Sequence, residues 1–274
     1  MHYLPGPEQT RRMDAAELRD RFLLQGLFQP GAATLRFVDL DRVVLGGIVP
    51  LGEAIRLDAP EAMAAEFFLE RREAGVLNVG GAGRVVADGA EHAMANRDGL
   101  YLGRGTREVA FHSDDPAEPA RFYLVSYPAH AGFPTAHVRR DAVQMAELGT
   151  AEQANRRRLY RYFHPEGVPT AQLVMGITEL LEGSVWNTMP AHTHARRTEV
   201  YLYFDLAADA VVFHMMGEPD QTRHLVVRDG EVALSPGWSI HSGCGTRSYT
   251  FCWAMGGENQ VFADMQGVPM DELL

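Results

Sequence analysis

The chain has 274 residues, of which 46% are hydrophobic, 22% charged and 9% aromatic. That is enough for one large domain or two modest ones, each with its own core, and too apolar for bulk disorder. The net charge is -11 and the basic clusters Arg156-Arg157-Arg158 and Arg139-Arg140 are short, which excludes a phosphate-neutralising stripe and with it nucleic acid as a partner.

All 25 basic residues are arginine. Without lysine there is no Schiff-base chemistry, no pyridoxal phosphate attachment and no P-loop, so carbonyl chemistry would need another polariser, such as a metal. Cys244 and Cys252 are too few for a disulfide scaffold, and Cys252 reads as a small buried hydrophobe in a strand. The first residues lack the apolar core of a signal peptide, and no run of about 18 apolar residues exists, so a cytoplasmic protein without membrane partners is expected.

In chain order, residues 14–25 carry the clearest helical pattern, with Asp14 as cap and Leu18, Phe22 and Leu23 on one face. The segments 36–45, 75–81, 83–89 and 121–127 are rich in Val, Leu and Phe and separated by turn residues, so they read as strands. The GGAG run at 80–83 lacks dinucleotide-binding spacing and reads as a β turn. Between 134 and 167 the pattern fades into a polar stretch expected to be partly helical, with its three arginines on a solvated or salt-bridged face. From Thr170 short β runs resume. An Asp88-Gly89 turn in the first half is matched by Asp229-Gly230 in the second, a weak similarity that implies two β domains of one type. The expected division is 1–133, a connection over 134–167, and 168–274.

Residues 190–204 read PAHTHARRTEVYLYF. His192 and His194, two apart, leave the same face of an extended strand, and Glu199, Tyr201 and Tyr203 share a face of the next. A Pro236-Gly237 turn then places His241 at a strand start. Three imidazoles and one carboxylate suit a divalent metal such as Zn²⁺, Fe²⁺, Mn²⁺ or Ni²⁺. The pattern resembles that of cupins, small metal-binding jelly-roll barrels. The first half has Phe68-Leu-Glu-Arg-Arg-Glu73 where the paired histidines would fall, and reads as a barrel without metal. His214 and His224 lie in predicted strands, as core or pocket residues.

The segments FLERREAGVLNVGGAG (68–83), WNTMPAHTHARRTEVYLYF (186–204), FHMMGEPDQTRH (213–224), SPGWSIHSGCGT (235–246) and GENQVFADM (257–265) make the match more specific. Through them the chain resembles the family of 4-deoxy-L-threo-5-hexosulose-uronate ketol-isomerases. The resemblance implies an all-β bicupin of two jelly-roll barrels with a few short helices. It implies one zinc per chain at His192, His194, Glu199 and His241, and a homohexamer. It also implies an aldose–ketose isomerisation of a small anionic sugar acid in pectin-derived uronate breakdown. In that chemistry a carbonyl is polarised, an enediolate is stabilised and a base moves a proton between neighbouring carbons. Tyr201, Glu258 and His224 are candidate bases, and Arg197 and Arg223 candidates for the substrate carboxylate. The rival readings are a 5-deoxy-glucuronate isomerase of inositol breakdown, a metal-dependent cupin dioxygenase and a non-catalytic sugar-binding cupin.

Overall fold

The computed structural model describes residues 1–274. The regular structure is almost entirely β, with two α-helices and three short 3-10 turns. No helix is long and apolar enough to cross a membrane. Two compact units share the chain, and neither is continuous in sequence. Met1–His2, Gly26–Gln144 and Tyr162–Met175 make the first; Tyr3–Gln25, Met145–Arg161 and Gly176–Leu274 make the second. The N-terminal residues 3–25, expected with the first domain, thus group with the second.

In the first unit a six-stranded antiparallel sheet faces a four-stranded one. The larger sheet centres on Arg72–Asn78 paired with Phe122–Pro128, and the smaller on Gly83–Ala87. Ala74, Val76, Phe122 and Leu124 of the larger sheet meet Val85, Ala87, Val109 and Phe111 of the smaller in one hydrocarbon core. The Asp88-Gly89 hairpin forms as expected, with φ of 47° and 83°, the left-handed pair that a two-residue turn matched to strand twist requires. The run 36–45, expected as one strand, is split: Ala33–Phe37 and Val44–Ile48 pair with each other across a turn in which Asp41 and Arg42 are left-handed.

On the other face of Arg72–Asn78, Glu73 is wholly buried. Its carboxylate accepts from the Tyr101 hydroxyl at 2.6 Å and from the backbone N–H groups of Ala171, Gln172 and Leu173 at 2.6, 2.8 and 2.8 Å. Glu73→Gln would turn an amide N–H₂ toward N–H donors and leave buried groups unsatisfied. It is expected to lower unfolding stability by about 2–4 kcal/mol. An unchanged midpoint in chemical denaturation would show that the carboxylate is dispensable.

The stretch 134–167 is not a helical connection. Ala136–Val138, Gln144–Leu148 and Arg157–Phe163 are strands, and only Arg140–Ala142 forms a 3-10 turn. In Arg157–Phe163 alternate residues Tyr160 and Tyr162 are buried, a period of two that outweighs the polar composition.

The second unit places a seven-stranded sheet, in which Arg197–Phe204 lies between Val232–Ser235 and Thr250–Gly257, with a four-stranded sheet holding Val212–Met216. Asp14 caps the helix Ala15–Phe22 by accepting from the N–H groups of Ala16 and Glu17, while Glu17 accepts from Asp14. The helix stops short of the expected residue 25 because Leu23–Leu24 pair with Ala233 and Val232 as an edge strand. Where the first unit has hydrocarbon between its sheets, the second carries histidines, a carboxylate and tyrosines.

Candidate metal centre

Each element delivers one part of the centre. Pairing of His192 with Gly267 fixes the first histidine. The His194 backbone N–H donates to the Gly237 carbonyl at 3.2 Å. A Cβ at Gly237 would lie 2.5 Å from the His194 carbonyl oxygen, so the turn after Pro236 needs glycine for this approach. That turn closes with the Ser239 N–H on the Pro236 carbonyl, and His241 follows directly ahead of the strand Ser242–Gly245. Glu199 comes from Arg197–Phe204, with Tyr201 next on the same face.

The ligand atoms of His192, His194, Glu199 and His241 all lie within 4.8 Å of one another. Glu199 Oε2 is 3.0 Å from His241 Nε2 and 3.2 Å from His194 Nε2, and the Nε2 atoms of His241 and His192 are 2.9 Å apart. His194 donates from Nδ1 to the Asp264 carbonyl at 3.0 Å, and the Ser239 carbonyl lies 3.4 Å from His241 Nδ1. Contacts of this kind at the outer nitrogens orient an imidazole so that its Nε2 is turned to the cluster, as in metal-binding histidines.

Electrostatics match this arrangement. Burial, followed by neighbouring His241, pushes the His192 imidazole down to about 3, so it stays neutral. Burial works to raise Glu199, yet His241 and His194 outweigh it and hold the carboxyl well below the ordinary range. Burial and then the charge of Glu199 push the Tyr201 phenol well above its usual value, so it remains a proton donor. These donors form a buried cluster that could hold a metal ion.

His192, His194 and Glu199 line a cavity of about 330 Å³, which lies at the small end of ligand pockets, about 300–1,000 Å³. Phe251, Trp253 and Met255, alternate residues of one strand, make an apolar wall, and Met189, Phe262 and Met265 add to it. Gly176 leaves room for the indole: a Cβ there would come within 2.2 Å of the Trp253 ring.

Among the expected residues, His192, His194, Glu199, His241 and Tyr201 converge, with the Tyr201 and His241 rings 5.7 Å apart. The other four sit elsewhere. His224 is exposed on the strand Arg223–Val227, edge-on to Phe213, because Leu225 and Val227 take its buried face. Glu258 is exposed just past the strand Thr250–Gly257. Arg223 donates to the Met13 carbonyl. Arg197 is buried behind His194, donating to the Asp264 carbonyl at 2.8 Å. His214 is a core histidine, hydrogen-bonded through Nδ1 to the Tyr203 hydroxyl at 2.7 Å. Sequence reasoning missed Arg157, Asn187 and Trp253, which line the cavity.

Comparison with known proteins agrees with this picture. The model of the KduI/IolB family matches residues 38–267. A 4-deoxy-L-threo-5-hexosulose-uronate ketol-isomerase of Kineococcus radiotolerans is 53% identical over 274 residues, covering 99% of this chain and 98% of the relative. The protein of that name from Caldicellulosiruptor bescii is 47% identical over 97% of both chains. Among solved structures, an IolB-like protein of Salmonella typhimurium shares the fold at a TM-score of 0.69 with 14% identity, over 90% of this chain and 96% of that one. A family match across most of the chain and relatives aligned nearly end to end lead to one conclusion: the chain belongs to the KduI/IolB family.

Proposed function

We propose that this chain converts 5-dehydro-4-deoxy-D-glucuronate to 3-deoxy-D-glycero-2,5-hexodiulosonate, an aldose–ketose isomerisation in pectin and uronate breakdown. The convergence of three imidazole nitrogens and one carboxylate in a cluster at the wall of a small apolar cavity carries this reading. The name borne by relatives at 46–53% identity supports it over the 5-deoxy-glucuronate isomerase of inositol breakdown. The reading includes one divalent ion per chain, zinc by the resemblance, held by His192, His194, Glu199 and His241. It also includes a cytoplasmic homo-oligomer, hexameric by the same resemblance.

The donor set fits such an ion: three imidazole nitrogens and a carboxylate lie within 4.8 Å of one another, and the Nδ1 atoms of His194 and His241 lie against backbone carbonyls. When bound, the ion supplies Lewis-acid polarisation of the substrate carbonyl. The reaction moves one hydrogen from C2 to C1 and one proton from the C2 hydroxyl to the C1 oxygen. Tyr201, kept protonated by its burial, donates a hydrogen bond to the substrate oxygen that gains charge. Phe251, Trp253 and Met255 exclude water around the reacting carbons.

Chelation is expected to abolish turnover of the uronate while circular dichroism keeps its β signature, and added Zn²⁺ to restore activity. Full turnover by metal-free protein, or preference for 5-deoxy-glucuronate, would overturn the reading.

A further inference from the structure

The run Arg156-Arg157-Arg158 hides a division of labour. Arg156 and Arg158 are partly exposed and both reach Glu147, at 2.7 and 3.9 Å. Arg157, between them, takes the opposite face, together with Leu159, and lines the cavity. One of its guanidinium nitrogens, Nη1, donates to the Asn155 carbonyl at 2.9 Å; no carboxylate pairs with it. Burial lowers its pKa, an effect an anion would offset, yet a guanidinium stays charged at any working pH.

Two further residues of the same cavity wall carry donors without acceptors. Asn187 and Trp253 are 4% and 3% exposed, and Asn187 Nδ2 and Trp253 Nε1 have no hydrogen-bond partner. Buried polar groups are nearly always paired, so donors that share a cavity with an uncompensated cation mark a place for an acceptor-rich anion. The chain's net charge of -11 repels anions at long range, which makes a local cation the means of capture.

We infer that Arg157, with Asn187 and Trp253, forms a carboxylate subsite that anchors the acid end of the substrate while its carbonyl end meets the His/Glu cluster. The inference rests on the isomerase reading for the identity of the substrate, and it names what selects a sugar acid over a neutral sugar. Arg157 is thus a substrate-anchoring residue, distinct from Arg197 and Arg223.

The test compares full-length, metal-loaded wild type with Arg157→Gln, Arg157→Lys and, as a control, Arg156→Gln. Steady-state kinetics on the uronate is paired with saturation-transfer NMR using D-glucuronate and D-glucose as probes. Arg157→Gln is expected to raise KM roughly 10- to 100-fold, the usual range for one charged hydrogen-bonded contact. Its kcat should stay within about threefold and its metal content should be unchanged. Arg157→Lys, with the charge but not the planar fork, should fall between. Arg156→Gln should match wild type. D-glucuronate should give a signal with wild type that Arg157→Gln loses, and D-glucose none. A KM within twofold of wild type with the D-glucuronate signal retained would overturn the subsite. So would a fall in kcat at constant KM, or an equal KM rise in Arg156→Gln. If Arg157→Gln loses its fold, Arg157→Lys decides, a wild-type KM counting against the subsite. Wild type that binds D-glucuronate through Arg157 but does not turn over the uronate would leave the subsite standing and sink the isomerase reading. Wild type that does neither would sink both.

Discussion

His241→Ala is expected to leave the purified protein with little bound metal and at least about 100-fold less isomerase activity. His241 is 1% exposed and touches two of the other members, Glu199 at 3.0 Å and His192 at 2.9 Å. Its removal takes away one nitrogen and also frees the Glu199 carboxylate from one of the imidazoles that hold it ionised in a buried place. Second-sphere changes alone cost about 10- to 100-fold in metal affinity, and loss of a ligand costs more. The strands that carry the centre keep their own packing: Val200, Leu202 and Phe204 are buried on the face away from Glu199. Circular dichroism should therefore stay near wild type. Elemental analysis is the direct readout, and retention of more than half the wild-type metal would refute the ligand set.

Tyr201→Phe is expected to reduce kcat by about 100-fold while metal content holds and KM shifts only a few-fold. The substitution removes one oxygen and leaves the ring, which packs 5.0 Å from Phe251 and 5.7 Å from His241. The hydroxyl sits beside Thr188 and Glu199, and burial with the Glu199 charge keeps it protonated. A lost transition-state donor depresses kcat and kcat/KM together, whereas a lost binding contact raises KM alone. Wild-type kcat would remove Tyr201 from the chemistry and leave it as a wall of the cavity. Solvent-exposed His224 and Glu258 offer no substitute, because neither lines the cavity.

The His/Glu cluster was legible because its geometry is local. Two histidines two apart, a carboxylate on the following strand and a turn before the last histidine each declare their direction through strand alternation. The hairpin at Asp88-Gly89 was legible for the same reason. What failed depended on partners distant in sequence. Leu23 and Leu24 continue a helical pattern until Ala233 and Val232 claim them for a sheet. Arg157 looked like surface charge because the stretch around it read as partly helical; once Arg157–Phe163 is a strand, the middle arginine must face away from its neighbours. His224 could have been placed outward from its own segment, since Leu225 and Val227 fix which parity is buried. Residue type made it a candidate base, and residue type carries no direction.

The interleaving of the two units bears on how the chain is made. Residues 3–25 are translated well before the rest of their unit, yet Leu23 and Leu24 pair with residues 233 and 232. The first unit likewise waits for Tyr162–Met175, whose backbone Glu73 grips. Neither unit can finish during early synthesis, and a cut between residues 144 and 145 yields no self-sufficient half. Closing contacts so far apart in sequence slows folding and prolongs exposure of unpaired strand edges. Leu18, Phe22, Leu23 and Leu24, buried in the folded unit, thus stay without their strand partners until residues 232 and 233 have been made.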